Sequence, residues 1–246
     1  MEPVEYEKLH RLEEKYWWFV GRRRLVGRLV RKYVHSRGCW PMVLDVGCGA
    51  GATARELGKL GTVVALDVSV SALAYTAERG MTRLVAANGE ALPFKPCSFD
   101  LVTALDVLEH MEHDLAGAQE AARVLRPQGV LIATVPACPI LWSKHDVALH
   151  HYRRYTAAQF RQLMVDAGLR VLKLSYCMTA LFPTVLVARL LQKHLRSAPV
   201  STTLPEVGGP TNRLLTTILM AEAAVITRTS LPMGVSLACV AQKEGC

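Results

Sequence analysis

The sequence predicts an α/β fold, a parallel sheet covered by helices on both faces, and two observations carry the prediction. From residue 42 onward short apolar runs alternate with amphipathic stretches of helical length. The first apolar run passes straight into a glycine-rich turn, "VLDVGCGAGATAR" at 43–55, as a strand handing over to a helix would.

Residues 1–40 precede the sheet and are expected to form a helical lid. The opening MEPVEYEKLHRLEEKY is dense in Glu and Lys and lacks the apolar stretch of a secretory leader, so a cytoplasmic protein is expected. In RRRLVGRLVRKYVHSR, Leu25, Val26, Leu29, Val30, Tyr33 and Val34 share one helical stripe, with Arg22, Arg24, Arg28, Arg31 and Lys32 largely elsewhere. The formal net charge is +8, and residues 1–40 hold ten Lys/Arg against five Glu, so the basic excess is local. A solvated face or contact with anionic lipid accounts for it. Nucleic acid is not expected, because aromatics do not interleave with the charges and no recognised module appears.

The core, 41–176, is expected to hold strands at 42–46, 62–67, 83–87, 99–105 and 130–135, with helices near 51–59, 70–79 and 112–125. Pro127 and Gly129 in VLRPQGV are expected to stop the last of these helices and turn the chain into the fifth strand. A loop rich in aromatics and histidines (136–155) leads to a helix opened by Thr156 and closed by Gly168, then to a sixth strand, LRVLKLSY.

Residues 177–233 read as a helical insertion, in which MTALFPTVLVARLLQKHL and NRLLTTILMAEAAVIT flank the loop SAPVSTTLPEVGGP. Neither helix reaches the roughly 20 apolar residues of a membrane span, and Arg189 and Glu222 interrupt them. They are expected to cover the core, to form an oligomer interface, or to lie on a membrane surface, and the high mean hydropathy of +0.20 keeps the last reading open. A closing strand, VSLACVAQK, falls in 234–246. At 246 residues and 51% hydrophobic, the chain can bury one sizeable core, so a single domain is expected, as a monomer or homodimer. Seven cysteines with no CxxC pair predict neither a disulfide framework nor a zinc site.

The glycine turn lies where ligands bind in such sheets, beyond the carboxyl end of the first strand. Gly47, Gly49 and Ala52 satisfy a dinucleotide spacing, with Asp67 twenty residues after Gly47. Asp45 argues against a nicotinamide dinucleotide, because a carboxylate two residues before the first glycine would face a pyrophosphate with the wrong sign. S-adenosylmethionine brings an ammonium and a sulfonium and no phosphate, so the same carboxylate attracts it. Asp67 can accept hydrogen bonds from ribose hydroxyls in either ligand.

"VLDVGCGAG", "ALDVS", "NGEALPFKPCSFDLVTALDVLEH" and "ARVLRPQGVLIATVP" together resemble the core of class I S-adenosylmethionine-dependent methyltransferases, over about 42–176 plus the closing strand, and most nearly those of quinone biosynthesis and related small molecules. The resemblance implies a Rossmann-like, doubly wound sheet of seven strands, the last antiparallel and inserted between the fifth and sixth. It also implies S-adenosyl-L-methionine as cofactor, with S-adenosyl-L-homocysteine as product. By that resemblance Asp45, Gly47, Cys48 and Gly49 hold the methionine part, Asp67 and Val68 the ribose and adenine edge, and Asn88, Gly89 and Glu90 the third loop. Asn88 stands where the family often has an aspartate, which loses a charge and keeps an acceptor. Leu105 and Asp106 flank the methionine and the reacting methyl.

The expected reaction is methyl transfer to a small-molecule or lipid-like acceptor by direct displacement, for which positioning and desolvation supply much of the catalysis. His110, just past the fourth strand, is the candidate general base. Trp142, His145, His150, Tyr152, Arg153 and Tyr155 are expected to form an acceptor-facing wall. His145, Asp146 and His150 have a spacing that could gather a metal, but nothing further matches a known site and no metal is expected. The segment EEKYWWFVGRRR is expected to fold over the cofactor mouth, with Arg22 or Arg23 meeting the cofactor carboxylate. The alternatives are a non-catalytic cofactor-binding or membrane-surface interaction protein and an NAD-dependent oxidoreductase.

Overall fold

The computed structural model describes residues 3–34, 40–194 and 207–245. Seven strands form one sheet: β1 (Met42–Val46), β2 (Thr62–Asp67), β3 (Leu84–Ala86), β4 (Phe99–Leu105), β5 (Leu125–Pro136), β6 (Leu169–Cys177) and β7 (Ser236–Lys243). Their order is β3-β2-β1-β4-β5-β7-β6, and β7 runs antiparallel between β5 and β6. The order reverses at β1 and β4, so the loops after these strands share the crevice where ligands bind.

The apolar runs become strands because both faces are covered. Leu44, Leu101, Val102, Leu131 and Ile132 are almost wholly buried, which suits continuous rather than alternating hydrophobicity. One face carries α5 (Asp114–Val124) and α7 (Ala157–Asp166), and the other packs against α2 (Trp17–Tyr33), α3 (Ala52–Leu57) and α9 (Gly209–Ile226). Thr156 opens α7 through a capping box with Gln159, and Gly168, at φ +79°, follows its end.

The turn into β5 differs from expectation. The helix stops at Val124, and Leu125 is already extended and paired with Phe99, so Pro127 and Gly129 lie within the strand. Gln128 adopts φ +66°, and the register slips between Phe99 and Leu101, so the Pro-Gln-Gly stretch forms a bulge in a ladder that has already begun.

α1 (Pro3–Glu13) and α4 (Val70–Glu78) pack together beside β2 and β3. α8 (Phe182–His194) and α9 flank the remainder of the insertion, whose loop at 195–206 lies outside the described residues. α9 lies against α2, where a Cβ on Gly21 would come within 2.5 Å of Leu219 Cδ1. Asn212 joins the two helical layers: its Oδ1 accepts from Trp17 N at 2.9 Å, and its Nδ2 donates to the Lys15 carbonyl at 2.9 Å. Glu222, which interrupts the apolar pattern, accepts from the backbone N–H groups of Met178 and Thr179. No helix among the described residues is long and apolar enough to cross a membrane.

Candidate active site

The turn after β1 is held open by backbone conformation. Gly47, Gly49 and Gly51 have φ of +67°, +57° and +84°, a region that side chains other than glycine rarely occupy. A Cβ on Gly47 would meet Val107 Cγ2 at 2.4 Å, so the turn also sits hard against the loop after β4. Cys48 N donates to the Leu66 carbonyl at 3.0 Å, which ties the turn to β2.

Three carboxylates surround this turn. Asp45, 2% exposed, pairs in register with Thr103 on β4, and Thr103 Oγ1 donates to its Oδ1 at 2.5 Å. Its Oδ2 is buried without a partner. Burial raises the Asp45 pKa to about 7, and the nearby charges of Glu13 and Asp67 push in the same direction. Asp67 accepts from Gly49 N at 3.0 Å and Ser69 N at 2.9 Å, so its ring of donors is fixed by the two loops it joins. Burial raises its pKa too.

The third carboxylate, Glu13, escaped the sequence reading. It comes from α1, its Oε2 accepts from Ala52 N at 3.1 Å at the start of α3, and Arg79 lies 3.5 Å from the same oxygen. Nothing local in the sequence ties residue 13 to residues 52 and 79; only the path of α1 across the sheet edge does. α1 therefore covers the glycine turn.

These features fit S-adenosylmethionine. The unpartnered Asp45 oxygen and the cluster of acids suit a cationic amino-acid group, and they oppose the pyrophosphate of a dinucleotide. The adenine side is more open: Val68 is 77% exposed, and Asn88 is exposed with its Oδ1 accepting from Glu90 N at 2.9 Å. Glu90 in turn accepts from His113 N. A Cβ on Gly89 would come within 2.4 Å of Met111 Cε, so the third loop packs closely on that side chain.

At the end of β4, Leu105 is buried and Asp106 adopts φ +56°. Asp106 Oδ1 accepts from Thr134 Oγ1 at 2.9 Å, and its Oδ2 is paired with Arg22 of α2. Arg22 thus ties α2 to the end of β4. Arg23 points elsewhere, donating to the Glu13 and Glu14 carbonyls, so it fastens α1 and does not face the turn.

The loop after β4 runs through a short turn at Leu108–His110. Glu109 is fully buried, and neither of its oxygens has a partner in another residue. Burial, then the charge of Asp106, raises its pKa well above the carboxylate range. His110 stacks edge-on against His151 at 4.6 Å between ring centroids. Desolvation, with His151 next, lowers the His110 pKa to about 4, so the ring is neutral at physiological pH and a weak proton acceptor. The potential ligand atoms of Glu109, His110 and His151 all lie within 4.8 Å of one another.

Of the expected acceptor wall, Trp142 and His145 are half-buried, while His150 and Tyr152 are exposed. Tyr155 is not with them: it is 4% exposed, packs on Phe160 and donates to Asp114 Oδ2 at 2.8 Å, so it belongs to the core. Arg153 pairs with Asp114 at 2.6 Å and donates to the Glu112 carbonyl. The grouping of His145 and His150 about Asp146 does not form. Asp146 is buried, and its oxygens accept from Ser143, Arg154 and His151. Burial opposes its ionisation, but the hydrogen bond from His151 and the Arg154 charge carry its pKa below the usual range.

Comparison with known proteins agrees with this geometry. Residues 44–133 match the family model described as a methyltransferase domain. A Mycobacterium tuberculosis protein named "Probable S-adenosylmethionine-dependent methyltransferase Rv3030" is 31% identical over 130 residues, which are 51% of this chain and 47% of the relative. A ubiquinone biosynthesis O-methyltransferase of Xanthomonas campestris is 28% identical, covering 61% of this chain and 69% of that one. The chain spans about half the length of the first of these relatives. Among solved structures, a chain from the "Complex between the Haloferax volcanii Trm112 methyltransferase activator and the putative methyltransferase" is similar over 99% of this chain and 96% of its own, at TM-score 0.64 and 18% identity. The matched segment, the strand order and the acid-lined glycine turn agree: residues 44–133 form a methyltransferase domain, similar to that of S-adenosylmethionine-dependent methyltransferases.

Proposed function

We propose that this protein moves a methyl group from S-adenosylmethionine to a small-molecule or lipid-like acceptor by direct displacement. The observation that carries the reading is Asp45, a buried carboxylate with one unpartnered oxygen at the end of β1. When bound, the cofactor supplies an electrophilic methyl on its sulfonium. Asp45 with Gly47, Cys48 and Gly49 would hold the methionine part. Asp67 with Val68 would hold the ribose edge, Asn88, Gly89 and Glu90 the adenine side, and Leu105 and Asp106 the reacting end.

The chain's remaining work is positioning and exclusion of water. α1 and α2, within the 1–40 segment, act as the lid: Glu13 and Arg22 reach the glycine turn and Asp106 from above. The acceptor lies beside His110, against Trp142, His145, His150 and Tyr152, with Arg153 at the rim. The name of the ubiquinone relative favours an oxygen acceptor. A lipid-like acceptor, reached by a peripheral contact with anionic membrane, is supported by the basic face of α2. Arg24, Arg28 and Arg31 there line a groove shared with Met220 and Thr227.

Thermal unfolding in the presence of S-adenosylhomocysteine or NAD tests the cofactor. Stabilisation by the first alone is the expected result. Stabilisation by NAD alone would return the chain to the oxidoreductase reading, and stabilisation without turnover on any quinol, phenol or lipid acceptor would favour a binding protein.

A further inference from the structure

The loop after β4 carries a group that the cofactor reading does not use. Glu109 is a fully buried carboxylate with both oxygens lacking a partner in another residue, an arrangement that costs free energy unless something satisfies it. Two imidazoles converge on it, His110 from the same turn and His151 from the loop that follows β5. Backbone bonds hold the two segments together, because Tyr152 N donates to the Glu109 carbonyl at 2.8 Å.

Both rings are oriented from behind. His151 Nδ1 lies 3.2 Å from Asp146 Oδ1, and Asp146 is itself fixed by Arg154 and Ser143. A proton on Nδ1 leaves Nε2 as a free lone pair. His110 is hydrogen-bonded to the backbone of His150, a residue held at φ +57°. A carboxylate-oriented histidine beside a second histidine and an unpaired carboxylate is the usual construction of a metal site with its outer support.

We propose that Glu109, His110 and His151 bind a divalent first-row transition-metal ion, with Asp146 positioning His151. Two imidazoles and one carboxylate suit zinc, iron or manganese better than calcium, and three protein ligands leave coordination positions open. Asp106, whose charge acts on both Glu109 and His110, places the site at the reacting end of β4. Resting on the methyl-transfer reading, the open positions then narrow the acceptor to a molecule presenting an oxygen donor, such as a vicinal hydroxyl pair. The expectation of a metal-free protein, and the role of His110 as general base, give way to this assignment.

The test is cobalt(II) titration of untagged, chelator-treated protein, followed by visible absorption and calorimetry. Wild type is expected to bind one ion with a spectrum of nitrogen and oxygen ligands. Glu109→Gln and His151→Ala are expected to weaken binding at least about a hundredfold, and Asp146→Asn by about ten- to a hundredfold. His145→Ala is expected to leave it unchanged. S-adenosylhomocysteine binding by each variant reports that it is folded. Wild type without metal affinity, affinity equal in the folded variants, or a thiolate charge-transfer band would each overturn the site. Metal bound by a wild type that ignores S-adenosylhomocysteine would sustain the site while removing the methyltransferase reading.

Discussion

In the proposed reading cofactor recognition turns on Asp45, and the environment of that residue makes the recognition depend on pH. Its pKa of about 7 lies above the 3.8 of an exposed aspartate. Stability from the protonated form is therefore complete below about pH 3.8 and is lost as pH rises through 7 in the ligand-free protein. An ammonium ligand reverses the preference, because it needs the carboxylate. Below pH 7 binding must expel the Asp45 proton, so affinity for S-adenosylhomocysteine should fall by up to about tenfold per pH unit of acidification and level off above 7. Calorimetry from pH 5.5 to 8.5, in buffers of differing ionisation enthalpy, reads both the slope and the released proton. Asp45→Asn should weaken binding about ten- to a hundredfold and flatten the profile. A mutant with the wild-type slope would place the titrating group elsewhere.

Among the elements, those whose evidence is local were legible and those defined by distant contacts were not. The strands at 42–46, 62–67 and 99–105 stand where their apolar runs predict, and Thr156 caps α7 as its sequence implies. The glycine turn was legible because side chains other than glycine rarely adopt its dihedral angles, and the place of Asp45 beside it because the apolar run of β1 ends there. Thr103, Glu13 and Arg79 were not, since their roles arise from strand register and from the path of α1. Tyr155 misled because an aromatic in a polar loop reads as exposed, yet its hydroxyl finds Asp114 and its ring finds Phe160. α1 itself yields a prediction. Arg79 is 5% exposed and joins α1 to the core through Glu13, Glu14 and the His10 and Ala50 carbonyls. Arg79→Met leaves Glu13 buried without its cation, which should cost about 3–5 kcal/mol in urea denaturation. Trypsin should then cut faster at Arg11 and Lys15. If stability falls while cleavage there is unchanged, the arginine braces the core without fastening α1.

At the scale of the molecule, charge and apolar surface coincide. α2 exposes Arg24, Arg28, Arg31 and Lys32, and the neighbouring α9 exposes Leu214, Met220 and Val225. The faces lie side by side because α2 and α9 pack along each other, so one side of the protein offers cations flanked by hydrocarbon. Such a surface favours anionic lipid, each basic residue near the membrane contributing about 1 kcal/mol. Neutral vesicles lack that attraction. In a sedimentation assay the protein should pellet with vesicles rich in phosphatidylserine at low salt and much less with phosphatidylcholine alone. Binding should fall as salt shortens the screening length from about 10 Å at 0.1 M to about 3 Å at 1 M. The triple change R24E/R28E/R31E reverses three charges on exposed positions remote from Asp45, so it should lower vesicle affinity at least about a hundredfold while S-adenosylhomocysteine binding persists. Retention of cofactor binding separates loss of a surface from loss of the fold. Equal pelleting of wild type and the triple variant would leave the basic face as a solvated one, and the acceptor would then be sought among freely diffusing molecules.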